Sequence, residues 1–229
     1  MPQGIRIGII CQLPKPGKDP KFISNRRGIT ILNCDRRVLA QILAIALGNV
    51  LPSLIQSDQV LFVKGRYILD HAIFLKLLME LVKLYPDLID GAILFLDFEK
   101  AFDLVLRYFI IRVLRHLKFG KLYIKAVKLI LSSIEAVVML NGHMSESFTP
   151  ESGTPQRCPL SPGLFILVIE VLACALRAAK GDGLRCGTLF RSSMQAADDT
   201  AVLGRTPEAL VERVAVVTLF CKAAGMRIN

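Results

Sequence analysis

Ala92-Ile93-Leu94-Phe95-Leu96-Asp97-Phe98 is an unbroken apolar run that reaches a carboxylate near its end. Its length and its large apolar side chains predict a strand covered on both faces. Burying Asp97 there costs on the order of several kcal/mol unless a cation or hydrogen-bond donors meet it. A second acidic feature lies far downstream, where Met194–Ala197 and Thr200–Leu203 read as short strands meeting at Asp198-Asp199. Carboxylates held side by side repel each other, and a bound divalent cation is the simplest relief.

Three carboxylates from two distant strands can hold a pair of Mg²⁺ ions, the arrangement that activates a primer 3′-hydroxyl and stabilises departing pyrophosphate. Asp-Asp by itself is more often a polar turn, because Asp tolerates turn geometry. Spacing alone leaves both readings open.

Upstream of the run, Ile68–Leu84 reads as a helix that stops before Pro86. A further helix through Val38–Leu47 is capped by Asn33 or Asp35 and ends near Gly48 and Pro52. That helix is apolar nearly all round, so it is either deeply buried or abnormally sticky. The first two dozen residues look loop-like, with Pro14–Pro20 as a basic turn region. Downstream, helices are expected at Leu104–Leu117 and Tyr123–Ser132, then a hairpin from Ala136 to Phe148 turning at Asn141-Gly142. Ser161-Pro162 opens a helix to about Ala179, and Pro207 another to about Ala224. Helices mixed with separated strands, and no repeat or linker, make the fold class α+β.

With 53% hydrophobic residues in 229, the chain can bury a core, and disorder is disfavoured. Six cysteines show no Cys-x-x-Cys spacing, so a zinc site or disulfide framework is unsupported. The net charge of +10 is spread along the chain and fits either a solvated surface or a polyanion groove. Val38–Ser57, the longest uncharged stretch, is interrupted by Gln41, Gly48, Asn49 and Pro52. It falls short of the roughly 20 apolar residues of a membrane span. The first residues lack the layout of a signal peptide. An intracellular protein with no membrane partner is expected, in nucleus or cytoplasm.

From Leu13 to Asn229 an ordered series of blocks resembles the reverse transcriptases of non-LTR retrotransposons. The blocks are Leu13–Asp19, Arg27–Leu47, Asp58-Gln59 with Phe62–Arg66, Phe95–Asp103, Gln156 with Cys158–Pro162, Gln195–Thr200, and Gly225–Asn229. The resemblance implies the fingers and palm of a right-hand polymerase, with fingers over 1–90, palm over 91–229, and the sequence stopping before a thumb. It implies DNA synthesis on an RNA template from a DNA primer and deoxynucleoside triphosphates, with two Mg²⁺ ions, or Mn²⁺, as cofactors. By position, Asp97 and Asp198 hold the metals and Asp199 supports them. Phe98 and Phe102 border the nucleotide, Phe102 as the steric gate beneath its sugar. Gln156 touches the nucleotide, and Arg27 approaches its triphosphate.

The sequence also departs from the family pattern. Ala196 stands where Tyr is usual, and Arg157 where Gly lets backbone approach the nucleotide. Gly28 replaces Pro, Arg26 Trp, Leu61 Gly and His71 Asn. A glycine position can demand a left-handed backbone, which costs a side-chain-bearing residue about 1–2 kcal/mol. These departures leave a second reading beside the enzyme: a non-catalytic, nucleic-acid-binding remnant of a decayed element.

Overall fold

A computed structural model describes residues 3–84, 91–132, 134–179, 183–186 and 189–229. The chain opens with one helical turn, α1 (Gln3–Arg6), followed by strands β1 (Ile7–Pro14) and β2 (Arg26–Leu32). Then come helices α2 (Cys34–Leu54) and α3 (Ile68–Leu84), strand β3 (Ala92–Leu96), and helices α4 (Ala101–Leu104), α5 (Arg107–His116) and α6 (Lys121–Ser132). Strands β4 (Glu135–Leu140) and β5 (His143–Met144) precede helix α7 (Ser161–Ala178). Strands β6 (Leu184–Cys186), β7 (Leu189–Arg191), β8 (Ser193–Ala196) and β9 (Asp199–Gly204) lead into helix α8 (Pro207–Ala224).

The start of the chain is not loop. β1 is antiparallel to β2, from Gly8↔Leu32 to Pro14↔Arg26, and parallel to β4, from Ile7↔Glu135 to Cys11↔Met139, in the sheet β2-β1-β4-β5. Its ladder partners include a strand more than a hundred residues away, so nothing local announces it. Because β4 belongs to the later part of the chain, the segments before and after residue 90 interlock within one sheet. The β4–β5 hairpin turns at Asn141 (φ 51°) and Gly142 (φ 81°), the left-handed pair that such a turn requires.

The second sheet, β3-β9-β8, is antiparallel throughout, in register from Ala92↔Gly204 to Leu96↔Thr200. The expectation that β3 is covered on both faces needs correction. Leu96 and Val202 join the main core, and on the other face Ile93, Leu203 and Met194 meet Phe74, Leu75 and Leu78 of α3. That second cover ends before the carboxylates, and Phe95 is 69% exposed.

Helix α7 fills the core, with Leu164, Phe165, Ile166, Leu167, Val168 and Ile169 all essentially inaccessible. Both α2 and α7 are long and apolar enough to cross a membrane, but α7 lies mostly inside the protein. Helix α2, capped by Asn33, runs through Gly48 and Pro52 instead of stopping there. Pro52 sits in the last turn, where it removes one intrahelical hydrogen bond, the one to the Gly48 carbonyl. Helix α2 buries Arg36, Ala40, Leu47 and Leu51, while Val38, Ile42 and Ile45 are 57–61% exposed. The expected helix Leu104–Leu117 is divided at Val105-Leu106, because the Leu106 N–H donates to Ala224 O at the end of α8 (2.8 Å).

Candidate active site

The ladder of the second sheet brings the acidic positions together. Leu96 faces Thr200 and Ala196 faces Asp199, so Asp97 and Asp199 emerge at neighbouring strand ends, with Asp198 in the turn between β8 and β9. Burial first, and then the charges of Asp199 and Asp97, raise the Asp198 carboxyl above its usual range, while a hydrogen bond from its own amide opposes them. Asp97 is exposed and accepts a hydrogen bond at Oδ2 from Asn229 Nδ2 (2.6 Å). None of the three carboxylates forms an ion pair among the described residues. Hard oxygen donors whose mutual repulsion no cation offsets suit a hard divalent ion. Among the described residues, however, no three His, Cys, Asp or Glu side chains close into a metal-holding cluster.

The turn is held from behind. Ala197 adopts a left-handed backbone (φ 57°), and its N–H donates to Gln59 Oε1 (3.2 Å), which also accepts from Leu61 N–H (3.0 Å). Residues 58–60 run parallel to β8: Gln195 N–H donates to Asp58 O (2.7 Å) and Val60 N–H to Gln195 O (3.2 Å). Asp58 is fixed in turn by Arg177 (2.5 Å) and Arg191 (3.1 Å). The sequence marked Asp58-Gln59 as a block but gave it no task. Its polarity beside apolar neighbours was the signal, since buried polar side chains need partners.

The opposite wall is a loop latched onto α4. Thr154 N–H donates to Phe102 O (2.8 Å), Gly153 N–H to Val105 O (2.9 Å), and Arg107 Nε to Gly153 O (3.1 Å). Gln156 Nε2 donates to both carboxylate oxygens of Asp103 (3.1 and 3.0 Å). Asp103 thus orients Gln156, a part the sequence did not assign to it. Arg157 is exposed with φ 63°, the left-handed conformation that a glycine would take without cost.

Phe102, Gln156, Arg157 and Asp198 line one cleft of about 680 Å³, with Gly28 of β2 at its edge. The Phe102 ring is backed by Phe165, centroids 4.3 Å apart. Asp97 and Asp199 instead line an adjoining hollow of about 360 Å³, together with Ala196 and His71. Phe98 is the expected nucleotide neighbour that lies elsewhere. It is 2% exposed within the main core, because alternation along the chain turns it away from the face that carries Asp97. Arg27 pairs with Leu13 in the β2 ladder, and its side chain lies outside the described residues.

Residues 13–229 match the reverse transcriptase (RNA-dependent DNA polymerase) family. The chain is 32% identical over 177 residues to the transposon TX1 uncharacterized 149 kDa protein of Xenopus laevis, covering 77% of this chain and 13% of that protein. It is 28% identical over 226 residues to the retrovirus-related Pol polyprotein from type-1 retrotransposable element R2 of Popillia japonica, covering 95% and 30%. The chain therefore spans less than a third of the length of these relatives. Among solved structures, telomerase from Candida tropicalis, in complex with a fragment of telomeric RNA, superposes with a TM-score of 0.67 at 14% identity, over 98% of this chain and 40% of that one. Telomerase from Candida albicans gives 0.65 at 12%, over 98% and 42%. At such identities these likenesses establish the fold, fingers and palm in an α+β arrangement. The family match spans nearly the whole chain, including both acidic segments and the Gln156 loop, and the chain belongs to the reverse transcriptase family.

Proposed function

We propose that this chain is the polymerase core of a non-LTR retrotransposon protein, extending a DNA primer with deoxynucleoside triphosphates on an RNA template. The observation that carries the reading is the adjacency of two acidic strand ends, Asp97 after β3 and Asp198-Asp199 at the β8–β9 turn. Asp97 and Asp198 would hold the divalent ions, Mg²⁺ or Mn²⁺, with Asp199 in support. When bound, such ions lower the cost of activating the primer hydroxyl and of releasing pyrophosphate. Phe102, stiffened by Phe165, would form the floor beneath the sugar. Gln156, aimed by Asp103, would contact the nucleotide, and Arg27 its triphosphate. Residues 1–90 would act as fingers and 91–229 as palm, with the β4–β5 hairpin reaching into the fingers sheet. Nucleic acid and nucleotide substrates make the location intracellular.

A second reading, a nucleic-acid-binding remnant without catalysis, draws on Arg157, whose side chain lines the cleft from a left-handed backbone. Primer extension and Mn²⁺ titration separate the two. The polymerase reading expects extension and Mn²⁺ binding by the wild type, both lost in Asp198→Ala. The remnant expects salt-sensitive binding that Asp97→Asn leaves unchanged, without extension. If a well-folded Arg157→Gly, Ala196→Tyr double variant also fails to extend a primer, the polymerase reading is abandoned.

A further inference from the structure

Between Asp103 and Glu135 the chain carries seven Lys and Arg and no acid, more than half of its net charge of +10. The first 37 residues hold eight Lys and Arg against two acids, whereas the 104–134 stretch, on α5, α6 and the turn between them, is basic with no acid at all. Arg107, Arg112 and Arg115 of α5 and Lys128 of α6 line a groove of about 430 Å³. Arg112, Arg115 and Lys128 are exposed, and none of them forms an ion pair among the described residues. Tyr108, 54% exposed, lines the same groove. Arg107 also lines a second groove, of about 380 Å³, whose wall includes Asp103 and Gln156. Those two residues line the cleft as well, so Arg107 is a wall shared by the basic groove and a hollow that borders the cleft.

We propose that the α5–α6 groove is a second nucleic-acid site, holding a single-stranded stretch continuous with the strand in the cleft. The continuity clause rests on the polymerase reading; the binding clause does not. Unpaired cations along a groove suit a phosphate backbone, whose charge they neutralise with release of counterions. The exposed Tyr108 ring selects a single strand, since only unpaired bases offer a face for stacking. Four cations and an aromatic ring line this groove, against two cations and Phe102 in the cleft.

The test uses the whole chain, a fluorescein-labelled oligouridylate and EDTA, so that metal chemistry plays no part. Affinity is measured against salt for the wild type, for an Arg112→Ala, Arg115→Ala, Lys128→Ala triple variant, and for a control triple, Lys21→Ala, Lys76→Ala, Lys222→Ala. All six side chains are exposed, and thermal melting checks that each variant folds. The groove variant is expected to lower the logarithmic salt slope by about 2, from about 0.7 per lost phosphate contact, while the control keeps the wild-type slope. Tyr108→Ala is expected to weaken oligouridylate at least about fivefold, the low end for one stacked base, and to leave duplex RNA unaffected. An unchanged slope in the groove variant, or equal losses in both triples, overturns the site; equal loss of duplex in Tyr108→Ala overturns the single-strand assignment. Failure of Mn²⁺ binding or primer extension bears on the polymerase reading alone, because none of these measurements needs a metal.

Discussion

The two walls of the cleft are built on different principles. On the carboxylate wall, Asp97, Asp198 and Asp199 are placed by continuous antiparallel ladders, so backbone register fixes them. On the loop wall, Gln156 and Arg157 ride an irregular segment whose position comes from single hydrogen bonds to α4. A ladder spreads the effect of a substitution over many bonds, whereas a latch concentrates it. A substitution beside the acidic triplet, at Ala196 for example, is therefore shared out over the ladder, whereas one at Arg157 acts on its wall directly.

The largest effect should come from breaking the latch. A Cβ at Gly153 would lie 2.5 Å from Asp103 O and 2.8 Å from its carbonyl carbon, backbone atoms that cannot swing aside, at φ 77°. Gly153→Ala combines a left-handed penalty with overpacking and should cost about 3 kcal/mol. Urea unfolding measures it, and a loss below about 1 kcal/mol would show that the loop is not seated on α4.

On the other wall the vulnerable point is Gln59. Gln59→Leu leaves the Ala197 and Leu61 amides without their acceptor, at about 1 kcal/mol each. The expected loss of about 2 kcal/mol should come with faster hydrogen exchange at Ala197 than at ladder residues such as Ala201. Unchanged exchange at Ala197 would mean that the turn needs no support from the 58–60 segment.

The same contrast explains what the sequence disclosed. Elements with strong local punctuation are found where expected: α3 spans Ile68–Leu84, and α8 runs from Pro207 to Ala224. Strand β1 escaped because its ladder is made with residues far away, and because Pro14 and Gly17 dominate the local composition. Burial was harder to read than secondary structure. Helix α2 and helix α7 are similarly apolar, yet only the second is enclosed, since enclosure depends on neighbours that hydropathy does not name. At the site, the acidic pattern singled out Asp97 and Asp198, and the family resemblance added Phe102 and Gln156. The supporting Asp103 and Gln59 act through side-chain hydrogen bonds, which have no periodic signature. Phe98 shared a block with Asp97, but adjacent residues on an extended chain face opposite ways.

Relieving the strained position on the loop wall should act in the opposite direction from the first two changes. Arg157→Gly removes a left-handed penalty of about 1–2 kcal/mol, less the backbone entropy that glycine gives up on folding. A net stabilisation of up to about 1 kcal/mol in urea is expected. A loss instead would show that the arginine side chain makes a contact worth more than the strain.

The smallest effect is electrostatic and belongs to the carboxylate wall. Burial, reinforced by Asp199 and Asp97, holds the Asp198 carboxyl above its usual range, so the folded chain binds that proton more tightly than the unfolded chain does. The destabilisation is absent below the ordinary carboxylate pKa and grows as pH rises to the raised one, beyond which it is complete. Asp198→Asn should therefore be slightly more stable than wild type at about pH 7 and no more stable at about pH 3. Divalent ions should reverse the order, because Mn²⁺ that binds only the folded carboxylates stabilises the wild type by mass action and leaves the variant behind. Urea midpoints at both pH values, with and without Mn²⁺, give the comparison. If wild type and variant follow parallel pH curves and Mn²⁺ shifts neither, the acidic wall neither carries this repulsion nor offers an ion its relief.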